Sequence, residues 1–278
     1  CESEQLCSDG KCLACFPGTK KCDGKDVFAC NNDGSALEYA ETCSSNQTCV
    51  GGYCQSLCAG DIKFNTNVGC DYWAVDLDNV EGDEVAGTLG ANNAQFAVVV
   101  SNPSEQEAEV MVTFADDTSP MFADTLEPGE LKIVPLAPYN IDGSLKALRS
   151  WKVESSAPIV AYQFNPLENE EVYSNDASVL FPSNAWGQEY YILTQGQLDT
   201  FARGFLTVVG GFEATEVSVT VSVQTASGPG VPAMSPGETQ TFTLEPYEVL
   251  NIETDVEGAD LTGSKVTASK PVGVFSGH

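Results

Sequence analysis

The sequence predicts an all-β protein in which a small disulfide-rich module is followed by two tandem β-sandwich-like domains. Three observations lead there. All eleven cysteines fall within the first 70 of 278 residues. Beyond them, short alternating apolar runs are separated at close intervals by Gly, Pro, Asn and Asp, the pattern of sandwiches and barrels. That second region also repeats itself at offsets of 107 to 113 residues, one sandwich-sized unit per copy. The expected divisions are 1–58 for the module, 59–180 for the first β-domain and 181–278 for the second.

The module is a repeat entered halfway. Cys1, Cys7, Cys12 and Cys15 recur as Cys43, Cys49, Cys54 and Cys58, about 42 residues later, so 1–15 reads as the tail of one copy and 16–58 as a complete copy. Between the two tails lie Cys22 and Cys30 among turn-forming Gly, Asn and Asp. The spacing Cys12-x2-Cys15 suits zinc, but the one histidine is His278, and the varied spacings and scarce apolar residues favour disulfides. Each bridge is expected to stabilise the module by about 2–4 kcal/mol. The ten cysteines from Cys1 to Cys58 form an even set expected to pair among themselves. That leaves Cys70, read as pairing outside this chain, with a free reactive thiol as the alternative.

In the β-region, Phe96–Val100 matches Phe205–Val209 and Glu109–Thr113 matches Glu216–Thr220. Pro158 and Pro271 open equivalent strands, where a missing N–H is tolerated. The expected strands include Ser150–Glu154, Ile159–Asn165, Lys265–Ala268 and Val272–Phe275. The one helix candidate is Gly143–Leu148, and the linker is expected within Asn165–Gln188. An interface between the units is expected to bury Trp186, Tyr190 and Tyr191 as packing groups.

Charge narrows the function. Twelve basic residues stand against forty acidic ones, a net −28, and 1–58 carries only −4 of it. Such a field repels phosphate backbones and anionic lipid heads, which argues against nucleic-acid binding, and no apolar run is long enough for a membrane helix. A solvated acidic face is the plain reading; divalent cations and basic surfaces are the partners it suits. Asp76, Asp78, Asn79, Glu81 and Asp83 form the best oxygen-ligand cluster, a candidate calcium loop against the alternative of a solvated one. No other cofactor is expected. A histidine-dependent nucleophile system lacks its imidazole, and Val209-Gly210-Gly211-Phe212 is a turn and not a phosphate loop. Asn46-Gln47-Thr48 is a glycosylation sequon. With no initiating Met and no leader, yet cysteines that need export, the sequence reads as a piece of a longer exported chain.

Three segments then carry a resemblance: Gly69-Cys70-Asp71-Tyr72-Trp73-Ala74-Val75-Asp76-Leu77-Asp78-Asn79, Phe96 to Pro103, and Val274-Phe275-Ser276-Gly277-His278. Together they resemble the amino-terminal domain of IgGFc-binding-type proteins, including large exported bacterial forms, such as those of myxobacteria, with preceding cysteine repeats. The resemblance covers about 60–278. It implies an extracellular adhesive or mucus-like structural role without catalytic residues and without a transferable antibody ligand. It also implies a cysteine just past Ser276-Gly277-His278 as the partner of Cys70.

The expectation is therefore a non-enzymatic extracellular or cell-surface adhesion, matrix or fibre-forming protein, with protein or glycan partners at the cell surface or self-association. A glycan-binding module and a carbohydrate-active enzyme are the alternatives, the latter because two carboxylates suffice for glycoside hydrolysis.

Overall fold

The computed structural model describes residues 6–8, 11–44, 47–56, 58, 66–80, 90–115, 119–137, 139–170, 172, 175–198 and 202–278. The module is three small antiparallel pieces. Strands β1 (Leu6–Ser8) and β2 (Lys11–Leu13) form a ribbon, and β3 (Lys20–Asp23), β4 (Asp26–Cys30) and β5 (Leu37–Thr42) form a three-stranded sheet. A second ribbon follows from β6 (Gln47–Val50) and β7 (Tyr53–Ser56). The repeat is visible in the register, because Cys7 lies opposite Cys12 in the first ribbon as Cys49 lies opposite Cys54 in the second.

Among the described residues the module buries only Val27 and the half-cystines Cys15, Cys30 and Cys43 as apolar core. Covalent links do the work a core does elsewhere. The bridges are Cys15–Cys30, Cys22–Cys49, Cys43–Cys54 and Cys58–Cys70, and Cys12 is disulfide-bonded as well. The last pair corrects the expectation for Cys70, whose partner is Cys58 inside the chain and not a residue outside it. The reason is a rule of the repeat. The last cysteine of each four-cysteine tail bonds forward, Cys15 to Cys30 and Cys58 to Cys70 at separations of 15 and 12, so Cys70 receives the final forward bond. Parity misled because Cys58 does not close on its own module.

The first β-unit contains β8 (Val68–Val75), β9 (Ala97–Ser101), β10 (Ala108–Phe114), β11 (Phe122–Leu126), β12 (Leu131–Pro135), β13 (Leu145–Leu148), β14 (Ser150–Asn165) and β15 (Asp176–Val179). The second contains β16 (Gly187–Tyr191), β17 (Phe205–Val209), β18 (Thr215–Thr220), β19 (Thr239–Leu244), β20 (Glu248–Glu253) and β21 (Lys265–Gly277). Alternation sets the faces: β10 and β18 bury Val110 and Val112, and Val217 and Val219, while Glu109 and Glu216 stay exposed.

Each unit is curled around one long strand. The first half of β14 runs between β10 and β8, and its second half runs between β9 and β15. In the second unit the first half of β21 lies between β18 and β16, and its second half pairs with β17. Where two strands were expected on either side of Pro158 and Pro271, one continuous strand passes through. The pairing register of β8 on β14 shifts between Glu154 and Ile159, beside the proline that cannot donate. Two apolar cores result, one around Phe96, Trp151 and Leu126, the other around Leu206, Leu250 and Met234.

The Gly143–Leu148 segment is not helical. It contains β13, whose Leu145 to Leu148 lie opposite Asn251 to Glu248 of β20. The exposed ladder of β20 provides more hydrogen-bond partners than four residues of helix could, so the tertiary edge overrides local propensity. A strand that belongs by sequence to the first unit thus extends the sheet of the second, in the order β13-β20-β17-β21.

Candidate binding surface at the seam between the β-units

Beside β13, a third core joins the two units. Trp73 and Val75 of β8 and Ile141 meet Trp186, Val209 and Val249, all buried, with Tyr247 and Phe275 packed against them. The Trp73 and Tyr247 rings meet edge to face at 4.8 Å, and the Tyr247 and Thr113 hydroxyls lie 2.9 Å apart. Lys152 extends over the outer face of Trp73, 5.8 Å from the ring centroid.

Trp186 is the pivot of this seam. Its indole N–H donates to the Phe181 carbonyl at 3.1 Å, and its ring lies on two glycines. A Cβ at Gly211 or at Gly273 would come within 2.8 Å of that ring, so both positions must lack one. The expected burial holds for Trp186 and half-holds for Tyr190, but Tyr191 is 70% exposed. It points out of the sheet because neighbours on a strand face opposite ways. Next to Trp186 opens a pocket of about 360 Å3 lined chiefly by Trp73, Phe181, Trp186, Tyr190, Val274 and Phe275.

At the other end of the seam, β8 runs on into the acidic segment. The carboxyl of Asp78 hydrogen-bonds with that of Glu253 on β20, and Asp78 Oδ2 accepts from the Gly143 N–H at 3.0 Å and the Asn251 amide at 3.2 Å. Glu253 is buried, its Oε2 lies 3.5 Å from Arg203, and its own N–H donates to Ser144 Oγ. Burial first, then the hydrogen bond and charge of Glu253, pushes Asp78 far above the carboxylate range, with Asp142 adding to it. Burial pushes Asp76 up to about 7, offset in part by the Tyr139 N–H, and its Oδ2 has no hydrogen-bond partner among the described residues.

Of the five expected calcium ligands, three lie among the described residues. Asp76 is buried beside Tyr139, Asp78 is engaged by β20 and Gly143, and Asn79 donates to the Asn165 carbonyl and accepts from the Val80 N–H. Glu81 and Asp83 lie outside the described residues. Among the described residues no group of three or more acidic, His or Cys side chains is placed to hold a metal ion.

Sequence reasoning missed Trp73, Asn251, Glu253 and Gly273 as members of the seam. A signal for one of them, Gly273, was present. Gly69-x-x-Tyr72 recurs as Gly187-x-x-Tyr190, and one residue earlier Val68 is replaced by Trp186; opposite it, Val160 is replaced by Gly273. A large residue gained exactly where its neighbour loses a side chain marks a packing exchange.

Two comparisons with known proteins found a similarity. Residues 176–278 match a family described as IgGFc binding protein. A human protein named IgGFc-binding protein is 34% identical over 217 residues, which is 74% of this chain and 4% of that protein. The IgGFc-binding protein domain family is thereby supported, and the chain spans only a small part of its human relative. No solved structure matches significantly. Among the described residues no helix is long and apolar enough to cross a membrane.

Proposed function

We propose that this chain is a rigid, non-catalytic segment of an extracellular adhesion or matrix protein, and that its β-pair displays a binding surface for protein partners. One observation carries the reading: three ties join the module and the β-units. Cys58–Cys70 ties the module to the first strand of the first unit, β13 is built into the sheet of the second, and Trp73 and Trp186 share one core. A protein that only needed flexible spacing would not require three such ties. The disulfide density suits an oxidising, extracellular setting. Antibody recognition belongs to the name of the human relative and does not pass to this chain on a match to 4% of that protein.

A carbohydrate-active enzyme is the less supported alternative. Its acid and nucleophile or base need about 5 Å or more between them to admit a sugar, whereas Asp78 and Glu253 hydrogen-bond directly. A glycan-binding role is favoured only by the aromatic pocket at Trp186. The immobilised protein, probed with matrix proteins, mucins and a polysaccharide panel, separates these readings. Saturable protein binding without product is expected. Saturable polysaccharide binding alone would replace this proposal by a lectin-like one, and polysaccharide turnover would end the non-catalytic reading.

A further inference from the structure

Of the bridges described above, Cys15–Cys30, Cys22–Cys49 and Cys43–Cys54 close within the module, whereas Cys58–Cys70 leaves it for β8. Cys15, Cys30 and Cys43 are buried, and the Gly52 N–H donates to Cys22 Sγ at 3.2 Å. Cys58 and Cys70 are both half-buried, and they form one wall of a cavity of about 300 Å3 that Asp71, Glu154 and Ser183 also line. Among the described residues no strand of the module pairs with a strand of the β-units, and none of its side chains enters their three apolar cores. The bridge is therefore the covalent hold of the module on β8.

The charges around this cavity do not serve stability. Asp71 of β8 and Glu154 of β14 are direct cross-strand partners, an arrangement in which like charges destabilise a sheet. Lys152 answers both, 2.7 Å from Glu154 and 3.9 Å from Asp71, so one ammonium stands against two carboxylates. Asp71 Oδ1 is enclosed and has no hydrogen-bond partner among the described residues. The second unit keeps the lysine and one acid, Lys265 and Glu189 at 3.0 Å, but there Glu189 faces Thr267 and Gln188 stands in the place of Cys70. The second acid is present in the copy that carries the sulfurs and missing from the copy that lacks them.

We propose that Cys58–Cys70 is a thiol-exchange site for cationic thiols, with Asp71 and Glu154 receiving the cation while the thiolate attacks the bridge. An aminothiol, or a peptide cysteine flanked by a basic residue, has this chemistry. The incoming sulfur bonds to Cys70 Sγ, the bond between Cys70 and Cys58 breaks, and Cys58 leaves as a thiolate that takes a proton from water. The leaving side is assigned by the Ser156 carbonyl, 3.8 Å from Cys58 Sγ, where the new thiol finds an acceptor. The product is a mixed disulfide on Cys70. A second thiol that attacks its outer sulfur expels Cys70 as a thiolate, so two incoming thiols are oxidised to one disulfide and the bridge is reduced to two cysteines. The inference goes beyond the reading of the β-pair as a binding surface: it makes the tie between module and β8 reversible, whatever the β-units bind.

The test exposes the whole oxidised chain to cysteamine or to glutathione, quenches by alkylation and maps the labelled cysteines by mass spectrometry. The opening rate of Cys58–Cys70 is divided by that of Cys22–Cys49 in the same digest, which cancels the intrinsic reactivity of each thiol. With cysteamine, Cys58 and Cys70 are expected to be labelled about tenfold ahead of the other three bridges. With anionic glutathione the ratio is expected to fall about fivefold, and Glu154→Gln should narrow that gap by about twofold. A variant that loosened the whole fold would raise both rates and leave their ratio unchanged. Earlier opening of another of these bridges, equal ratios for the two thiols, or a gap untouched by Glu154→Gln would overturn the site. Binding of matrix proteins by the oxidised chain is measured without thiol, so failure here leaves the proposed function standing.

Discussion

The first β-unit holds its curled sheet with Tyr72, whose hydroxyl donates to the Ile159 carbonyl just after Pro158. The second does the same with Tyr190, donating to the Val272 carbonyl just after Pro271. The pairing extends outward from that bond. Lys152 lies opposite Trp73 with its ammonium near Asp71, and Lys265 lies opposite Tyr191 with its ammonium near Glu189. Ser156 and Ser269 accept the N–H of Glu109 and Glu216 in turn. Against this shared frame, two departures lie at the seam: Val68 and Val160 against Trp186 and Gly273, and the buried Asp76 and half-buried Asp78 against Thr194 and Gly196. A duplicated scaffold keeps the bonds that bend its long strand and changes the residues where its copies touch. What differs between the units is thus the best guide to what joins them.

The largest effect is expected from breaking the Trp186 and Gly273 exchange. Trp186→Val removes the ring from between two glycines and should destabilise the chain by about 3–5 kcal/mol. Gly273→Val alone should cost about 1–3 kcal/mol by overpacking the indole. The double substitution recreates the valine pair of the first unit, so its cost should fall short of the sum by about 1 kcal/mol or more. Denaturant unfolding of the four proteins gives the coupling, and strict additivity would show that the two positions did not exchange volume.

Much of the frame was legible because it rests on local pattern. Alternation placed β10 and β18, and the Pro-Gly turns and strand prolines fixed the repeat. Legibility stopped where partners are distant in sequence. Nothing local marks Leu145–Leu148 as an edge for β20, because its partner lies about 100 residues away. The same holds for Asp78 and Glu253, whose acidic neighbourhood reads as a solvated loop until β20 is placed beside it. Cys70 failed for another reason: counting assumes that a module closes on itself, whereas each tail here bonds forward into the next unit.

The buried acids sharpen the comparison through pH. In the folded chain Asp76 titrates near 7 and Asp78 higher still, against 3.8 for a free aspartate, so between these values the folded state holds more protons than the unfolded one. Stability must then fall as pH rises from about 4 through the folded values. Around Asp78 the charged groups are Glu253 and Asp142, with Arg203 on Glu253 as the nearby cation. A loss in Tm on the order of 5 °C between pH 5 and 9 is expected, and Asp78→Asn should flatten its upper part. Parallel curves for the two proteins would remove Asp78 from the account. Thr194 and Gly196 give the second unit no counterpart to this dependence.

The smallest effect tests whether the shared tyrosine bond has the same worth in both copies. Tyr72 is fully buried and its hydroxyl donates into a site that also holds the Asn67 carbonyl, 2.9 Å away. Tyr190 is half-buried, donates to Val272 and accepts from the Gly187 N–H at 2.6 Å. Replacing either by Phe keeps the ring and deletes the bond. In the first unit the stranded Ile159 carbonyl has no easy route to water, so Tyr72→Phe should cost about 1–3 kcal/mol. In the second, Val272 is buried as Ile159 is, but Tyr190 and Gly187 are half-buried, so water can take the place of the hydroxyl, and Tyr190→Phe should cost about 0.5–1.5 kcal/mol. Urea midpoints of the two variants measured side by side decide the matter: equal losses would mean that burial does not distinguish the copies, and a larger loss at Tyr190 would reverse the expected order.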